Sequence, residues 1–290
     1  MRLALPASFR PADILAFQAR DPQQLAERVD ADGFAKGLIW HGAPACLRVA
    51  FQHGHVDVEL DVDGTPASAG AIAGLARHVL GLDQPVDTFE TAHRHHPQLG
   101  PLLARHAGLR VPQAATPFEA LSWAVTGQQI STAAAISIRR RLIACIGVRH
   151  SGGLACYPDA AHLAVQDEER LRGAGLSQSK ARALLSLARL VADGALPLEA
   201  WLTGTPADDI RSRLLAVRGI GPWTVDYALL RGFAHLDGSL HGDAAVRRGL
   251  QKLLNREDKV GESEAKAWLA DFTPWRALAA AHLWAVAKET

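Results

Sequence analysis

Cysteine is scarce. Cys46, Cys145 and Cys156 are the only three in the chain, and no pair has Cys-x-x-Cys spacing. A zinc ribbon, a four-cysteine iron–sulfur cluster and a disulfide scaffold are therefore excluded. Neither sign of charge dominates: 31 Lys and Arg stand against 30 Asp and Glu, for a net +1. Without a polybasic tail, any contact with nucleic acid must use a local patch. No apolar run reaches the roughly 20 residues that a membrane-spanning helix needs. Met1–Arg10 has no long apolar core, so no signal peptide is read there and a soluble, cytoplasmic protein is expected. No Ser–His–Asp or Cys–His signature is present. His93-x-His95-His96 has the look of a metal cluster, but Pro97 beside it and the lack of nearby Cys or paired carboxylates point to a surface loop. Tyrosine is rare too, with two residues against seven Trp.

What is present is globular: 48% of residues are apolar and 21% charged. At roughly 150 residues per domain, 290 residues suggest about two domains. The two parts differ in charge. Residues 1–110 hold 10 basic and 12 acidic side chains, whereas residues 121–254 hold 16 basic and 11 acidic. A phosphate partner is to be sought in the second part.

The first part carries strand signals. Leu47, Val49 and Phe51 alternate with polar or small residues, as do Val56, Val58, Leu60 and Val62, with Gln52-His53-Gly54-His55 between them. That pattern predicts a β-hairpin with one buried face. Helices are predicted over 21–29, behind Asp21-Pro22, and over 69–80. Beyond about Pro112 the strand signals stop. Pro117 opens a helix over 118–125, Ser177 caps one over 178–193, Thr205-Pro206-x-Asp208 marks a further N-terminus, and a last helix covers 274–288. The expected class is α+β: a mixed N-terminal domain, 1–112, then an all-α region, 113–290.

The most informative segment is Leu214-Leu215-Ala216-Val217-Arg218-Gly219-Ile220-Gly221-Pro222-Trp223-Thr224-Val225-Asp226-Tyr227. An amphipathic helix leads into two glycines one residue apart, and Pro222 then opens a second helix. Gly219 and Gly221 can take positive φ and let a ligand approach the backbone. Their N–H groups, with those of the next first turn at Thr224, can point at one anion. A helix C-cap followed by a turn is the commoner explanation of one glycine taken alone. A Gly-x-Gly-x-x-Gly nucleotide loop fails, because Thr224 stands third and a helix, not a strand, precedes. About twenty residues on comes His241-Gly242-Asp243-Ala244, with Asp243 where a helix begins. Such an Asp is usually a cap.

Val217-Arg218-Gly219-Ile220-Gly221 resembles the hydrophobic-x-Gly-hydrophobic-Gly core of the helix–hairpin–helix DNA-binding motif. The hairpin, helix, loop and Gly-Asp in series resemble the helix–hairpin–helix superfamily of DNA glycosylases, with Asp243 matching the catalytic Asp. Ala120–Ser131, with Gln128-Gln129, is similar to the family's upstream helix and Gln-containing turn. Leu171–Ala183 is similar to its middle segment, and Phe272–Ala279 with Leu283-Trp284 to its C-terminal helix. An α+β half placed before these points to the DNA-3-methyladenine glycosylase II (AlkA-type) branch. The resemblance implies a TATA-binding-protein-like N-terminal sheet, serving as structural support, and two helical subdomains behind it.

It also implies chemistry. Bifunctional members carry a Lys just after the hairpin; Trp223 stands there, so Schiff-base chemistry and strand cleavage are expected to be missing. Asp243 would stabilise the sugar cation formed as the glycosidic bond breaks. Trp223, Tyr227 and Trp275 would line a base pocket, attracting an electron-deficient ring by about 0.5–2 kcal/mol each. Trp268 and Trp284 are read as core filler. Gly219, Gly221, Thr224, Gln128, Gln129 and Arg247 are the expected DNA contacts, with Gln128 or Gln129 as the wedge that fills the gap left by a flipped base; Arg247 reads equally as an exposed helix face. The carbonyls of Leu215, Val217 and Gly219 match those that hold a structural Na⁺ or K⁺ in related enzymes; no cofactor is otherwise required. The expected activity is monofunctional excision of alkylated purines from double-stranded DNA, with no membrane and no obligate protein partner. A helix–hairpin–helix DNA-binding protein without catalysis, and a glycosylase for deaminated or etheno bases, are the alternatives.

Overall fold

The computed structural model describes residues 1–288. Its first part is a five-stranded antiparallel sheet in the order β1-β5-β4-β3-β2, made of β1 (Arg2–Ala4), β2 (Glu27–Val29), β3 (Gly33–Trp40), β4 (Ala43–Gln52) and β5 (His55–Val62). The hairpin predicted from the alternating residues is β4–β5. Gln52 pairs with His55, leaving His53-Gly54 as the turn, with Gly54 at φ 73. Leu47, Val49, Phe51, Val56, Val58 and Leu60 are buried. They pack against Ile14 of α1 (Pro11–Gln18) and Leu75, Val79 and Leu80 of α2 (Ala69–Leu80).

The helix expected over 21–29 does not form. Asp21 instead starts a turn, its carboxylate accepting from Gln23 N–H at 3.1 Å, and Glu27–Val29 joins the sheet edge against Phe34–Lys36. Ladder bonds and burial of Glu27 outweigh the local helical preference there.

Twelve further helices follow: α3 (Val86–His93), α4 (Leu99–Arg105), α5 (Pro117–Gly127), α6 (Thr132–Ile146), α7 (Ala160–Ala164), α8 (Glu168–Gly173), α9 (Gln178–Ala192), α10 (Ala207–Leu215), α11 (Pro222–Phe233), α12 (Ala244–Leu253), α13 (Glu262–Ala270) and α14 (Arg276–Lys288). Ser177 caps α9 as expected, accepting from Lys180 N–H. Thr205 does not cap α10, which starts behind Pro206 with no side-chain cap and with Asp208 and Asp209 in its first turn.

The helices enclose two cores. One is built around Phe118, Leu121, Leu142, Leu184, Leu214 and Val225. The other joins Phe89, Leu102, Leu250, Phe272 and Leu283. The second core takes its residues from both sides of position 112: α3 and α4 precede that point in sequence but pack with the C-terminal helices. His93 and His96 lie at that junction, edge-on to Phe272, and among the described residues no His, Cys, Asp and Glu group could hold a metal ion.

Two close contacts fix the parts against one another. A Cβ on Gly249 of α12 would lie 2.0 Å from Leu283 O of α14, so the two helices meet backbone to backbone. Between the sheet and the helical region runs a buried ion network. Lys36 Nζ donates to Glu27 at 2.8 Å and to Glu119 at 2.7 Å, and Arg139 donates to both oxygens of Glu27 and to Glu119. Burial alone would raise the two carboxyls, but Arg139 and Lys36 hold both below the usual carboxylate range.

Candidate active site and nucleic-acid interface

The hairpin joins α10 to α11. Its stems are locked by Arg211 on one and Asp226 on the other, 2.6 Å apart; burial raises the Asp226 carboxyl and Arg211 opposes that. Leu214, Val217 and Ile220 point inward, and Ile220 N–H donates to Val217 O at 3.0 Å. Gly219 sits at φ +91, where its missing side chain also avoids Ala183 Cβ, 2.6 Å from where a Cβ would be. Gly221 departs from expectation: it is extended, with φ −103. Nothing lies within 4 Å of a Cβ built there, so this glycine leaves open space beside the N-terminus of α11. An anion approaching that space meets the positive end of a 12-residue helix.

The Gln turn ends α5. Gln128 donates its amide to Gly219 O at 3.1 Å and to Thr224 Oγ1 at 2.9 Å. It therefore braces the hairpin from the side. Thr224 is 1% exposed and its hydroxyl accepts from Gln128. Gln129 is the residue at the tip, with φ +56 and an exposed side chain. Ile130 beside it is 37% exposed, a large apolar group left in solvent.

Asp243 stands at the N-cap of α12. Its Oδ1 accepts from Ala245 N–H at 2.8 Å and Val246 N–H at 3.0 Å, so the capping role is real. It is not the whole role. Trp284 Nε1 donates to the same oxygen at 3.2 Å, and Trp223 Nε1 donates to Oδ2 at 2.9 Å. Oδ1 thus takes three donors and Oδ2 takes one, leaving Oδ2 with acceptor capacity for an incoming group. The carboxylate is partly exposed. Behind it Trp223 packs on Tyr227 with ring centroids 5.6 Å apart, and Tyr227 on Trp284 at 6.5 Å.

Two tryptophan assignments change. Trp275 lies away from the carboxylate, edge-on to Phe89 and His93 with centroids 6.2 and 6.0 Å apart. Trp275 precedes α14, and the helix carries Trp284 more than two turns further on, to Asp243. Leu283 next to Trp284 is fully buried, and that neighbour makes the indole look like core in the sequence. Arg247 has a structural role as well. Its Nη1 donates to His241 O at 3.2 Å, Gly242 O at 3.0 Å and Glu262 Oε1 at 3.1 Å, so it braces the loop that presents Asp243. Arg248, next to it, is exposed.

Residues of the N-terminal domain touch the aromatic cluster behind Asp243. Phe17 and Arg20, at and after the end of α1, reach the helical region. Arg20 lies 3.6 Å from the Phe17 ring centroid and 4.9 Å from that of Trp123, and Arg231 lies 4.6 Å from Phe17 and 5.2 Å from Trp284. No motif marks Phe17 or Arg20. The one available signal for Arg231 is its spacing: Trp223, Tyr227 and Arg231 fall four residues apart on α11, one face of a helix.

A helix–hairpin–helix frame, a carboxylate under two indole N–H groups and a Gln turn locked to the hairpin meet at one place in the fold. Residues 122–274 match the HhH-GPD superfamily of base excision DNA repair proteins, and residues 1–116 match the AlkA N-terminal domain. The chain belongs to the HhH-GPD superfamily. Among relatives, it is 30% identical over 213 residues to the Mycobacterium tuberculosis "Probable bifunctional transcriptional activator/DNA repair enzyme AlkA", covering 72% of this chain and 41% of the relative. It is 29% identical over 191 residues to DNA-3-methyladenine glycosylase 2 of Escherichia coli, covering 64% of this chain and 63% of the relative. The chain thus spans less than two thirds of the length of these curated relatives. The solved 3-methyladenine DNA-glycosylase from Archaeoglobus fulgidus superposes with a TM-score of 0.86 at 18% identity, over 99% of this chain and 98% of that one. That likeness establishes the fold, and with it the α+β class. No helix among the described residues is long and apolar enough to cross a membrane.

Proposed function

We propose that the chain is a DNA glycosylase that flips alkylated purines of the 3-methyladenine and 7-methylguanine type out of duplex DNA and hydrolyses their N-glycosidic bond. The observation that carries this reading is the Asp243 carboxylate, held by Trp223 and Trp284 with one oxygen under-coordinated. The names of the Escherichia coli and Archaeoglobus fulgidus relatives agree with it.

In this reading the open space at Gly221 and the N-terminus of α11 grip a phosphate, and Gln129 with Ile130 fills the gap left by the flipped base. Unstacking costs a few kcal/mol, which an inserted side chain offsets in part. As the C1′–N bond breaks, its electron pair leaves with the base and positive charge grows on the sugar. Asp243 Oδ2 stabilises that charge and orients the water that attacks C1′. The indoles that hold the carboxylate also fix its direction, so it need not reorganise. Trp223 occupies the position of the amine nucleophile in bifunctional members, and we infer that the product is an abasic site with the strand intact.

A monovalent cation fits the hairpin. The carbonyls of Val217 and Gly219 each accept one hydrogen bond, which leaves a second lone pair on each; with Leu215 they would hold Na⁺ or K⁺. Such an ion would stiffen the hairpin and add positive field toward a phosphate. DNA is the one partner this reading needs, and the cytoplasmic nucleoid is where it would work. The test is base release from methylated duplex DNA. Wild-type protein is expected to liberate 3-methyladenine or 7-methylguanine and Asp243→Asn to lose this. Equal release by both overturns the role of Asp243, and none by either overturns the reading in favour of a DNA-binding protein without catalysis.

A further inference from the structure

The last turn of α5 ends in three successive carbonyls. Val125 O takes Gln128 N–H at 3.4 Å and Gly127 O takes Ile130 N–H at 3.5 Å, both long. Thr126 O, between them, takes the ammonium of Lys180 from α9 at 3.0 Å, the shortest tie of the three. The carbonyls at a helix C-terminus lack donors within the helix and carry the negative end of its dipole, so a cation is the partner that suits them.

For its own helix Lys180 is misplaced. α9 is capped by Ser177, whose hydroxyl accepts from Lys180 N–H. Lys180 therefore stands third in the first turn, at the positive end of the dipole, where a capping box would carry Glu or Gln. No acidic residue lies in that turn to offset the charge. Burial pushes the ammonium down, and no carboxylate among the described residues opposes that. Local helix chemistry disfavours a lysine here; what the position offers is reach across to the end of α5.

The segment that follows α5 gives this tie its importance. Gln129 holds φ +56, a conformation that a residue other than glycine keeps when its surroundings impose it. Two anchors hold the turn. Gln128 is bound to Gly219 O and Thr224 Oγ1 of the hairpin, and Lys180 grips the stem two residues earlier. α9 links the two anchors. One turn beyond Lys180, Ala183 Cβ lies 2.6 Å from where a Cβ on Gly219 would be. One face of α9 thus meets both the stem of the Gln turn and the hairpin. Gln129 and Ile130 project beyond this junction, exposed.

We propose that Lys180 is a positioning residue for base flipping: it fixes the end of α5 so that Gln129 and Ile130 stay in the gap left by the extruded base. The inference rests on the glycosylase reading, and within it on the Gln turn as the wedge. Lys180 acts through that turn and not on the base or the sugar. Its effect falls on the equilibrium between stacked and flipped lesion, so its loss matters most where flipping is most costly.

The experiment compares single-turnover release of 7-methylguanine from two duplexes, one with cytosine opposite the lesion and one with a stable abasic analogue there. Extruding an unpaired base costs less. Lys180→Met is expected to slow release from the paired duplex about tenfold, as for loss of a hydrogen bond from a charged group, and from the unpaired one by no more than about twofold. Lys180→Arg keeps a charged donor and should recover most of the paired rate. In an Ile130→Ala background Lys180→Met should cost no more than about twofold further, because residues that act as a unit are not additive. Equal slowing on both duplexes, losses that add to that of Ile130→Ala, or no slowing at all overturns the assignment. A slope of log K against log salt on undamaged duplex that changes by about 0.9 makes Lys180 a phosphate contact and overturns it too. If Lys180→Met does not fold, Lys180→Gln takes its place in the same cycle. Failure of wild type to release 7-methylguanine from either duplex removes the parent reading, whereas release by wild type with unaffected variants removes the role of Lys180 alone.

Discussion

Trp284 donates its indole N–H to Asp243 across 41 residues of chain, at 3.2 Å. The bond converts a residue that would be an ordinary helix cap into an aimed carboxylate. Trp284→Phe keeps the ring and removes the donor. We expect single-turnover excision to fall about tenfold, the scale of one hydrogen bond to a charged group, while affinity for undamaged duplex stays within twofold. A parallel loss of DNA affinity would assign Trp284 to binding. Trp223→Phe should cost more, because its N–H holds Oδ2, the oxygen with spare capacity.

Arg247 offers a second contrast. It fastens His241 O and Gly242 O, the two residues before Asp243, and is anchored by Glu262. Arg247→Ala should lower the excision rate without altering the salt dependence of DNA binding. A residue that contacts phosphate would change the slope of log K against log salt by about 0.9. An altered slope would therefore return Arg247 to the DNA interface.

The buried network predicts a stability effect remote from chemistry. Glu27→Gln leaves Arg139 and Lys36 with one carboxylate, Glu119, between them. Removing one member of a buried ion pair typically destabilises by about 3–5 kcal/mol. Urea unfolding should report a loss of that order, with the sheet and the helical region separating together because the network joins them. A change below about 0.5 kcal/mol, the scale of an ordinary surface substitution, would mean that water replaces the missing charge.

His282 gives stability a pH dependence. It is fully buried, and neither ring nitrogen has a hydrogen-bond partner. Burial, and then His106 and Arg10, push it down to about 3. An unfolded chain restores the ordinary histidine value of about 6.5. Between those values the unfolded state binds a proton that the native state refuses. Stability is therefore complete above about pH 6.5 and falls as pH drops toward 3, by at most about 1.4 kcal/mol per unit. His282→Leu should flatten the decline between pH 7 and 5 in urea titrations. A decline of unchanged slope would assign it to other groups.

Local patterns made much of this readable. The β4–β5 hairpin follows from strict alternation, and α9 from its capping Ser177. The helix–hairpin–helix and Asp243 follow from glycine spacing and from a Gly-Asp at a helix start. What stayed hidden depends on distance in sequence. The sequence around Glu27 reads as helix because its partners, Lys36, Arg139 and Glu119, are set by tertiary packing. Phe17 and Arg20 carry no signature of their contacts with Trp123 and Arg231, which are set by packing between the sheet and the helical region. Trp275 and Trp284 sit nine positions apart near or on one helix, and periodicity cannot say which indole faces the acid. Gln128 and Gln129 are adjacent and chemically identical; only the positive φ of Gln129 separates brace from tip.

The contact between Gly249 and Leu283 O sets how near α12 and α14 can come. Asp243 caps the first of these helices and Trp284 rides on the second, one residue beyond Leu283. The reach of the indole to its acceptor is thus governed by the absence of a methyl group six residues past the aspartate. Any side chain at 249 would act as a spacer, loosening the acid's alignment from a point that touches neither substrate nor reactive atom.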